Sequence, residues 1–331
     1  MTALPPLLEV RDLVVEFRTA QATLRALDGI SFAIAPGEIL GVVGESGAGK
    51  SLTGLAISRL IQPPGQIVSG EVLLAGERID TLSARAMRRV RGKRIGMVFQ
   101  DPLTSLDPLF PIGDQIVETI RAHLDMTRIE ARARAIALLD EVGIPSPAAR
   151  INAYPHEFSG GMRQRVVIAL ALCAEPELII ADEPTTALDV AVQAQILNLL
   201  ARLCRDRGMA MMLVTHDMGV IAEISHRVAV MYAGRLVELG ETARMAHAAR
   251  HPYAAGLMGA IPTLEARTEP LLQIPGSMPR LTAIPAGCAF HPRCDKAFAP
   301  CTKVRPELLF SAGGLAVACH LYDPTYQEAR S

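Results

Sequence analysis

Gly44-Glu45-Ser46-Gly47-Ala48-Gly49-Lys50-Ser51 fits the phosphate-loop spacing GxxxxGK[ST]. Its chemistry is phosphate capture. The glycines let successive backbone N–H groups converge on phosphate oxygens at the positive end of a helix. Lys50 can reach the β- and γ-phosphates, and the Ser51 hydroxyl can ligate Mg²⁺. Further along, Leu178-Ile179-Ile180-Ala181-Asp182-Glu183 ends an apolar run on two carboxylates, where ligands of open α/β sheets bind. Asp182 suits a Mg²⁺ shell, and Glu183, one residue on in an extended chain, can orient or deprotonate an attacking water without competing for the metal. The bland accounts are a flexible turn for the glycines and a helix N-cap pair for the two acids. Between the motifs lies Phe158-Ser159-Gly160-Gly161-Met162-Arg163-Gln164-Arg165, a second Ser/Gly loop opening a helix. A second anion-binding helix start is hard to explain within one site.

The elements that must position these residues follow from apolar periodicity. Ile39 to Val43 is a continuous apolar run, the pattern of a strand buried on both faces of a parallel sheet. A helix is expected from Ser51 to about Leu60, stopped by Pro63 and Pro64. Val10 to Phe17 and Ile30 to Ile34 suit an antiparallel layer, and Glu71 to Leu74 and Ile95 to Phe99 are expected as further strands. Helical spacing dominates from about Pro102 to Ala174, for instance Ala133, Ile136, Ala137 and Asp140, with Leu138 and Leu139 beside them. Alternation resumes with strand Leu178 to Ala181, helix Val190 to Arg207, strand Met211 to Val214, a short helix and strand Arg227 to Tyr232. The expectation is a doubly wound α/β core of the phosphate-loop NTPase class, with an antiparallel β subdomain and an inserted α-helical subdomain at about 101–175. Beyond Gly240, Pro252, Pro262, Pro270, Pro275, Pro279, Pro285 and Pro292 break up long elements, predicting an irregular C-terminal appendage. Residues 1–250 are expected as one ATPase-type domain and 251–331 as a tail.

Composition narrows the function classes. The 331 residues are 50% hydrophobic and 20% charged, with a net charge of -1. That balance, without a Lys/Arg block, lacks the electrostatic footprint of a nucleic-acid binder, so no nucleic-acid partner is expected. Met1 to Glu9 lacks the pattern of a secretory signal. The longest apolar run, Val166 to Ala174, is far shorter than the ~20 residues of a membrane span. A location inside the cell is expected, and any membrane span must come from a partner. Six cysteines in such a chain point to thiols or metal ligands, and four lie in the last 44 positions.

The phosphate loop at 44–51, the carboxylate strand at 178–183 and a Ser-Gly-Gly loop just upstream of it resemble an ABC ATPase. In that family the Ser-Gly-Gly signature of one subunit covers the γ-phosphate held by another, so two subunits sandwich two ATP molecules. The resemblance implies ATP contacts from Gly44, Glu45, Ser46, Gly47, Ala48, Gly49, Lys50, Ser51 and Leu52, and, across the sandwich, from Ser159, Gly160, Gly161 and Asp189. It implies Mg²⁺ ligation by Ser51, Gln100 and Asp182, and catalysis by Glu183, His216 and Gln100. Phe17 is the candidate to stack on adenine, against a plain role in strand packing. Phe158 and Met162 depart from the common signature, where Leu and Gln are usual. The apolar residues after Gln100, among them Leu103, Leu106, Leu109, Phe110 and Ile112, are either lobe core or a groove for a helix of a membrane subunit.

Gln100-Asp101-Pro102-Leu103-Thr104-Ser105-Leu106-Asp107-Pro108, Tyr154-Pro155-His156-Glu157, the stretch from Ala181 to Leu188 with Gln193 to Leu197, and the tail with His251-Pro252-Tyr253 and Ile284-Pro285 resemble peptide-importer ATPases. That resemblance implies a peripheral subunit on the cytoplasmic face of the cell membrane that powers import of oligopeptides or dipeptides. Its implied partners are a second ABC ATPase subunit, two transmembrane permeases and an extracytoplasmic peptide-binding protein. Nickel and glutathione importers share much of the pattern. A DNA- or ribosome-directed ABC ATPase is the other alternative, but only 107 residues lie between Ser51 and Ser159, with no coiled-coil insertion. Cys288, Cys294, Cys301 and Cys319 are separated by 5, 6 and 17 residues. Zinc, with His291 and His320 nearby, and free thiols remain open; related tails hold a [4Fe–4S] cluster, which the resemblance implies here. Cys173 and Cys204 are expected as ordinary core residues.

Overall fold

The structure, a computed structural model, describes residues 5–186, 188–259, 274–311 and 314–326. Pro262 and Pro270 of the proline-broken tail, Ala187 and the first four residues lie outside the described residues. In chain order the first elements are β1 (Leu8–Arg18), β2 (Thr23–Ile34), β3 (Ile39–Val43), α1 (Lys50–Ile57), β4 (Gly65–Leu74), β5 (Glu77–Arg78), α2 (Ala84–Val90) and β6 (Ile95–Val98). Then come α3 (Pro102–Ser105), α4 (Ile112–His123), α5 (Arg128–Glu141), α6 (Pro147–Arg150), α7 (Gly160–Leu172), β7 (Leu178–Asp182), α8 (Val190–Arg207) and β8 (Ala210–Val214). The last are α9 (Met218–Ile224), β9 (Arg227–Tyr232), β10 (Arg235–Glu241), α10 (Thr242–Ala248), α11 (Pro252–Gly259), β11 (Leu309–Phe310) and β12 (Ala316–Val317). Among the described residues no helix is long and apolar enough to cross a membrane.

Two compact units form. The first is built around residues 34–39 and 73–213. In it β6 and β7 pair in parallel from Ile95 beside Leu178 to Val98 beside Ala181, with β8 on the far side of β7. Helices α4, α5 and α7 pack on one another, and α7 also packs on β6 and α8. Helix α5 starts at a capping box in which Thr127 and Glu130 satisfy each other's backbone N–H groups. Its buried face is Ala131, Ala135, Leu138 and Leu139, whereas Ala133, Ala137 and Asp140 are exposed. The helix expected from that spacing is present, and Leu138 and Leu139 lie in its buried face; alternating Ala and Arg from Ala131 to Ala135 supports several apolar offsets, and packing against α4 and α7 selects one.

The second unit comprises Glu9–Ala33, Leu40–Val72 and the described residues from Val214 on. Strand β3, all five residues buried, pairs in parallel with β9 from Leu40 beside Arg227 to Val43 beside Val230. A two-residue turn through Ala233 (φ 48°) and Gly234 (φ 76°) returns the chain as β10, a hairpin turn of the type that matches strand twist. β12 adds to β10 and β11 to β12, both antiparallel. In the other layer the order is β2, β1, β4. Beyond Gly240 the described residues form only short elements, as the prolines predict: α10, α11 and the two-residue strands β11 and β12, which join the sheet. Cys173 and Cys204 are buried, and burial pushes both thiols up to about 12.

Candidate functional site

The phosphate loop leaves β3 and enters α1 at Lys50, one residue earlier than expected. Gly44 has φ 152°, and a Cβ there would stand 2.3 Å from the Met231 carbonyl oxygen, so only glycine lets the loop lie on β9. Gly49 precedes the helix at φ 103°, and no side chain caps the helix start. That start is where an anion gains from the backbone N–H groups. Lys50 is buried, and its Nζ donates to the carbonyl oxygens of Gly44 (2.9 Å) and Glu45 (3.1 Å), so the cation is folded inside its own loop. The Gly234 N–H donates to the Ala48 carbonyl at 2.9 Å, tying the β9–β10 turn to the loop.

Glu45 is held twice from the C-terminal segment. Its N–H donates to the Tyr253 hydroxyl at 2.8 Å, and its carboxylate takes both arms of the Arg293 guanidinium at 2.9 and 3.0 Å. Tyr253 is in place because buried Glu238 of β10 accepts from the backbone N–H groups of Arg250 and His251, fixing the chain just before α11. Burial raises the Glu238 carboxyl above its ordinary value against those donors, and burial pushes the His251 imidazole down to about 3. None of these partners was legible from spacing: Tyr253 lies 208 residues from Glu45 and Arg293 lies 248.

In the same unit, the Thr215 N–H donates to the Val42 carbonyl at 3.3 Å, so His216 follows β8 beside β3 and is exposed. Phe17 is half-buried, its ring against Gly65, where a Cβ would come within 2.7 Å of it. Ser51 and Leu52 are half-buried in the first turn of α1, and Ser46 and Gly47 are exposed.

The carboxylate end of the other unit is built on β7. Asp182 ends the strand half-buried. Glu183 has φ 44°, a left-handed conformation that costs a non-glycine residue and marks sites where geometry is imposed. Glu183 is therefore separated from Asp182 by a backbone turn, not by the extended alternation expected from sequence. Gln100 donates from Nε2 to Glu183 Oε2 at 3.1 Å, and the Thr186 hydroxyl donates to the same oxygen at 3.0 Å. Thr186 was missed, because a threonine two residues past Pro184 carries no signal of its own.

The Ser-Gly-Gly loop opens α7. The Ser159 hydroxyl accepts from the Met162 N–H at 3.4 Å as the helix N-cap. Gly161 lies where a Cβ would meet Val192 of α8 at 2.7 Å. Phe158 is buried under the Arg150 guanidinium, 5.6 Å from its ring centre, so the larger ring is accommodated as an apolar plug. Asp189 caps α8 by accepting from the Val192 N–H at 2.9 Å. Leu103, Leu109 and Phe110 are exposed, while Leu106 and Ile112 are core.

The four tail cysteines are unpaired and line one small cavity with His251, His291 and His320. Burial raises the thiols of Cys288 and Cys294 and pushes Cys319 up to about 12. His320 Nε2 faces the Val304 carbonyl at 2.8 Å, which makes it the donor, and its buried Nδ1 has no partner. The donor set suits a metal group. The geometry as it stands does not: among the described residues no three His, Cys, Asp or Glu side chains are grouped to hold a metal ion, and the cavity of about 10 Å³ admits one water-sized sphere.

Known proteins match this arrangement. The ABC transporter family matches residues 27–186, and the C-terminal region of oligopeptide/dipeptide transporters matches residues 237–301. The oligopeptide transport ATP-binding protein OppD of Bacillus subtilis is 50% identical, covering 88% of this chain and 82% of its own. The dipeptide transport ATP-binding protein DppD of Escherichia coli is 45% identical over 95% of this chain and 96% of its own. A dimeric ATP-binding cassette solved with ADP and Pi after hydrolysis superposes with a TM-score of 0.64 at 27% identity, covering 71% of this chain and 98% of that one. Fold and loops together define an ABC-type ATPase with a phosphate-loop NTPase core, an enzyme that binds and hydrolyses ATP. The chain belongs to the oligopeptide and dipeptide transport ATP-binding proteins of that class.

Proposed function

We propose that this chain hydrolyses ATP to power import of oligopeptides or dipeptides, as one of two distinct ATPase subunits on the cytoplasmic face of the cell membrane. The observation that carries the reading is coverage. Relatives named for oligopeptide and dipeptide transport align over 88% and 95% of the chain, beyond the catalytic loops alone. In this reading residues 1–250 form the ATPase portion and 251–331 the tail. Two permease subunits carry the peptide across the membrane, and an extracytoplasmic binding protein delivers it.

The roles follow from the chemistry of each group. Lys50 and the N–H groups of the loop hold the β- and γ-phosphates, and Phe17 stacks on adenine. Bound Mg²⁺, held by Ser51, Asp182 and Gln100, would neutralise the phosphate charge that develops on cleavage. Glu183, its Oε2 accepting from Gln100 and Thr186, orients the attacking water and takes its proton. His216 contacts the γ-phosphate. Ser159, Gly160, Gly161 and Asp189 serve the nucleotide of the partner subunit.

The finer reading of the tail is that Cys288, Cys294, Cys301 and Cys319 ligate a [4Fe–4S] cluster, supported by four thiols around one cavity. These side chains must spread to admit it. Anaerobic purification with iron, sulfide and zinc analysis tests this: about four irons per chain supports it, and one zinc without iron overturns it.

The transport reading is tested by deleting the chain from its host and supplying a required amino acid only as a di- or oligopeptide. Loss of growth, restored by the wild-type chain, is expected. Undiminished peptide uptake with lost nickel or glutathione uptake would overturn it in favour of those solutes.

A further inference from the structure

Arg293 has no place in the chemistry described above, yet it is among the most heavily engaged cations in the chain. Its side chain is 8% exposed. Both arms of its guanidinium meet the Glu45 carboxylate, Nε donates to the Pro275 carbonyl at 2.7 Å, and its Cζ lies 5.8 Å from the ring centres of Tyr232 and Phe290. A planar fork held on three sides fixes its carboxylate partner in position and direction. Tyr232, Tyr253 and Phe290 pack as edge-on and tilted ring pairs 4.8 to 5.4 Å apart, so the platform under Arg293 is rigid.

The partner, Glu45, is the second residue of the phosphate loop. Its N–H is held by Tyr253, its carboxylate by Arg293, and its carbonyl oxygen receives Lys50 Nζ at 3.1 Å. One residue thus connects the tail to the lysine that must turn toward phosphate. Phe290 and Arg293 both lie within the five residues between Cys288 and Cys294.

We propose that Arg293 is a positioning residue of the nucleotide site, acting through Glu45 to hold the phosphate loop and Lys50 ready for ATP, so that the cysteine-bracketed tail segment sets ATP affinity. The inference rests on the reading of residues 44–51 as the nucleotide loop. It gives the tail a role at the site in addition to any structural one.

The test is Mg-ATP binding and steady-state hydrolysis by the full chain carrying Arg293→Ala, Glu45→Gln or both. Arg293→Ala is expected to weaken ATP binding and raise KM about tenfold while turnover at saturating ATP changes by less than about threefold. The double variant should bind ATP no more weakly than the weaker single one, because both remove the same link. Arg293→Lys, which keeps the charge without the fork, should lie between wild type and Arg293→Ala. If the alanine variant does not fold, Arg293→Lys decides in its place: a loss of ATP affinity of about threefold or more supports the proposal, and a smaller loss overturns it. ATP affinity in Arg293→Ala within about twofold of wild type, or losses that multiply in the double variant, would likewise overturn it. Lys50→Ala separates the two readings. If it too leaves ATP affinity intact, the assignment of the loop fails; if it abolishes binding while the Arg293 variants bind normally, only the role of Arg293 fails.

Discussion

Glu183→Gln tests the hydrolytic reading with little structural disturbance. Glu183 Oε2 accepts from Gln100 Nε2 at 3.1 Å and from the Thr186 hydroxyl at 3.0 Å. The amide oxygen of a glutamine can take both bonds, so the folded state should lose no more than about 1 kcal/mol, the difference between neutral and charge-assisted hydrogen bonds. The chemical step loses more, because an amide nitrogen cannot take a proton from water. General-base catalysis contributes roughly 10²–10⁴-fold. At about 1.4 kcal/mol per decade, the barrier should rise by about 3–5 kcal/mol. Steady-state phosphate release should therefore fall by at least about a hundredfold, while ATP affinity and the thermal midpoint stay near wild type. Gln100→Ala should also slow hydrolysis, since it removes a donor to the carboxylate and, in this reading, a ligand of the Mg²⁺. An ATPase rate in Glu183→Gln within about twofold of wild type, with ATP bound normally, would refute the assignment of Glu183.

Two further predictions concern the bolt between β10 and α11. Glu238→Ala leaves the buried N–H of His251 and the half-buried N–H of Arg250 without their acceptor, and thermal or urea unfolding should register a loss of about 2–4 kcal/mol. His251, neutral in the fold with its imidazole pushed down to about 3, contributes stability that is complete above its unfolded value of about 6.5 and is lost as pH falls toward 3. In that window the unfolded chain binds the extra proton, so stability should fall by up to about 1.4 kcal/mol per pH unit, and His251→Asn should flatten that slope between pH 6.5 and 5.

What could be seen in the sequence is what local chemistry writes down. Gly44 to Ser51 carries its own strand, turn and helix start, and the run Leu178 to Glu183 announces a buried strand ending in acids. β3, α8 and β9 fall where periodicity puts them. The rest depends on distant pairing. β12 finds β10 across most of the tail, and the partners of Glu45 come from Tyr253 and Arg293, which no spacing rule connects to it. The left-handed turn at Glu183 is likewise set by its surroundings, since glutamate has no intrinsic preference for it. The prolines of the tail did limit its elements to short ones, but they carried no signal that two short strands would join a sheet edge.

The central claim, that this chain couples ATP hydrolysis to peptide import, is tested most directly in sealed vesicles containing the two permeases and both ATPase subunits, with ATP on the subunit side and a labelled di- or oligopeptide with its binding protein on the other. Peptide should cross to the ATP side only when ATP is present, and Glu183→Gln in this chain should reduce that flux in step with phosphate release. Peptide movement that is independent of ATP, or ATP-driven flux unchanged when this chain is omitted, would contradict the account.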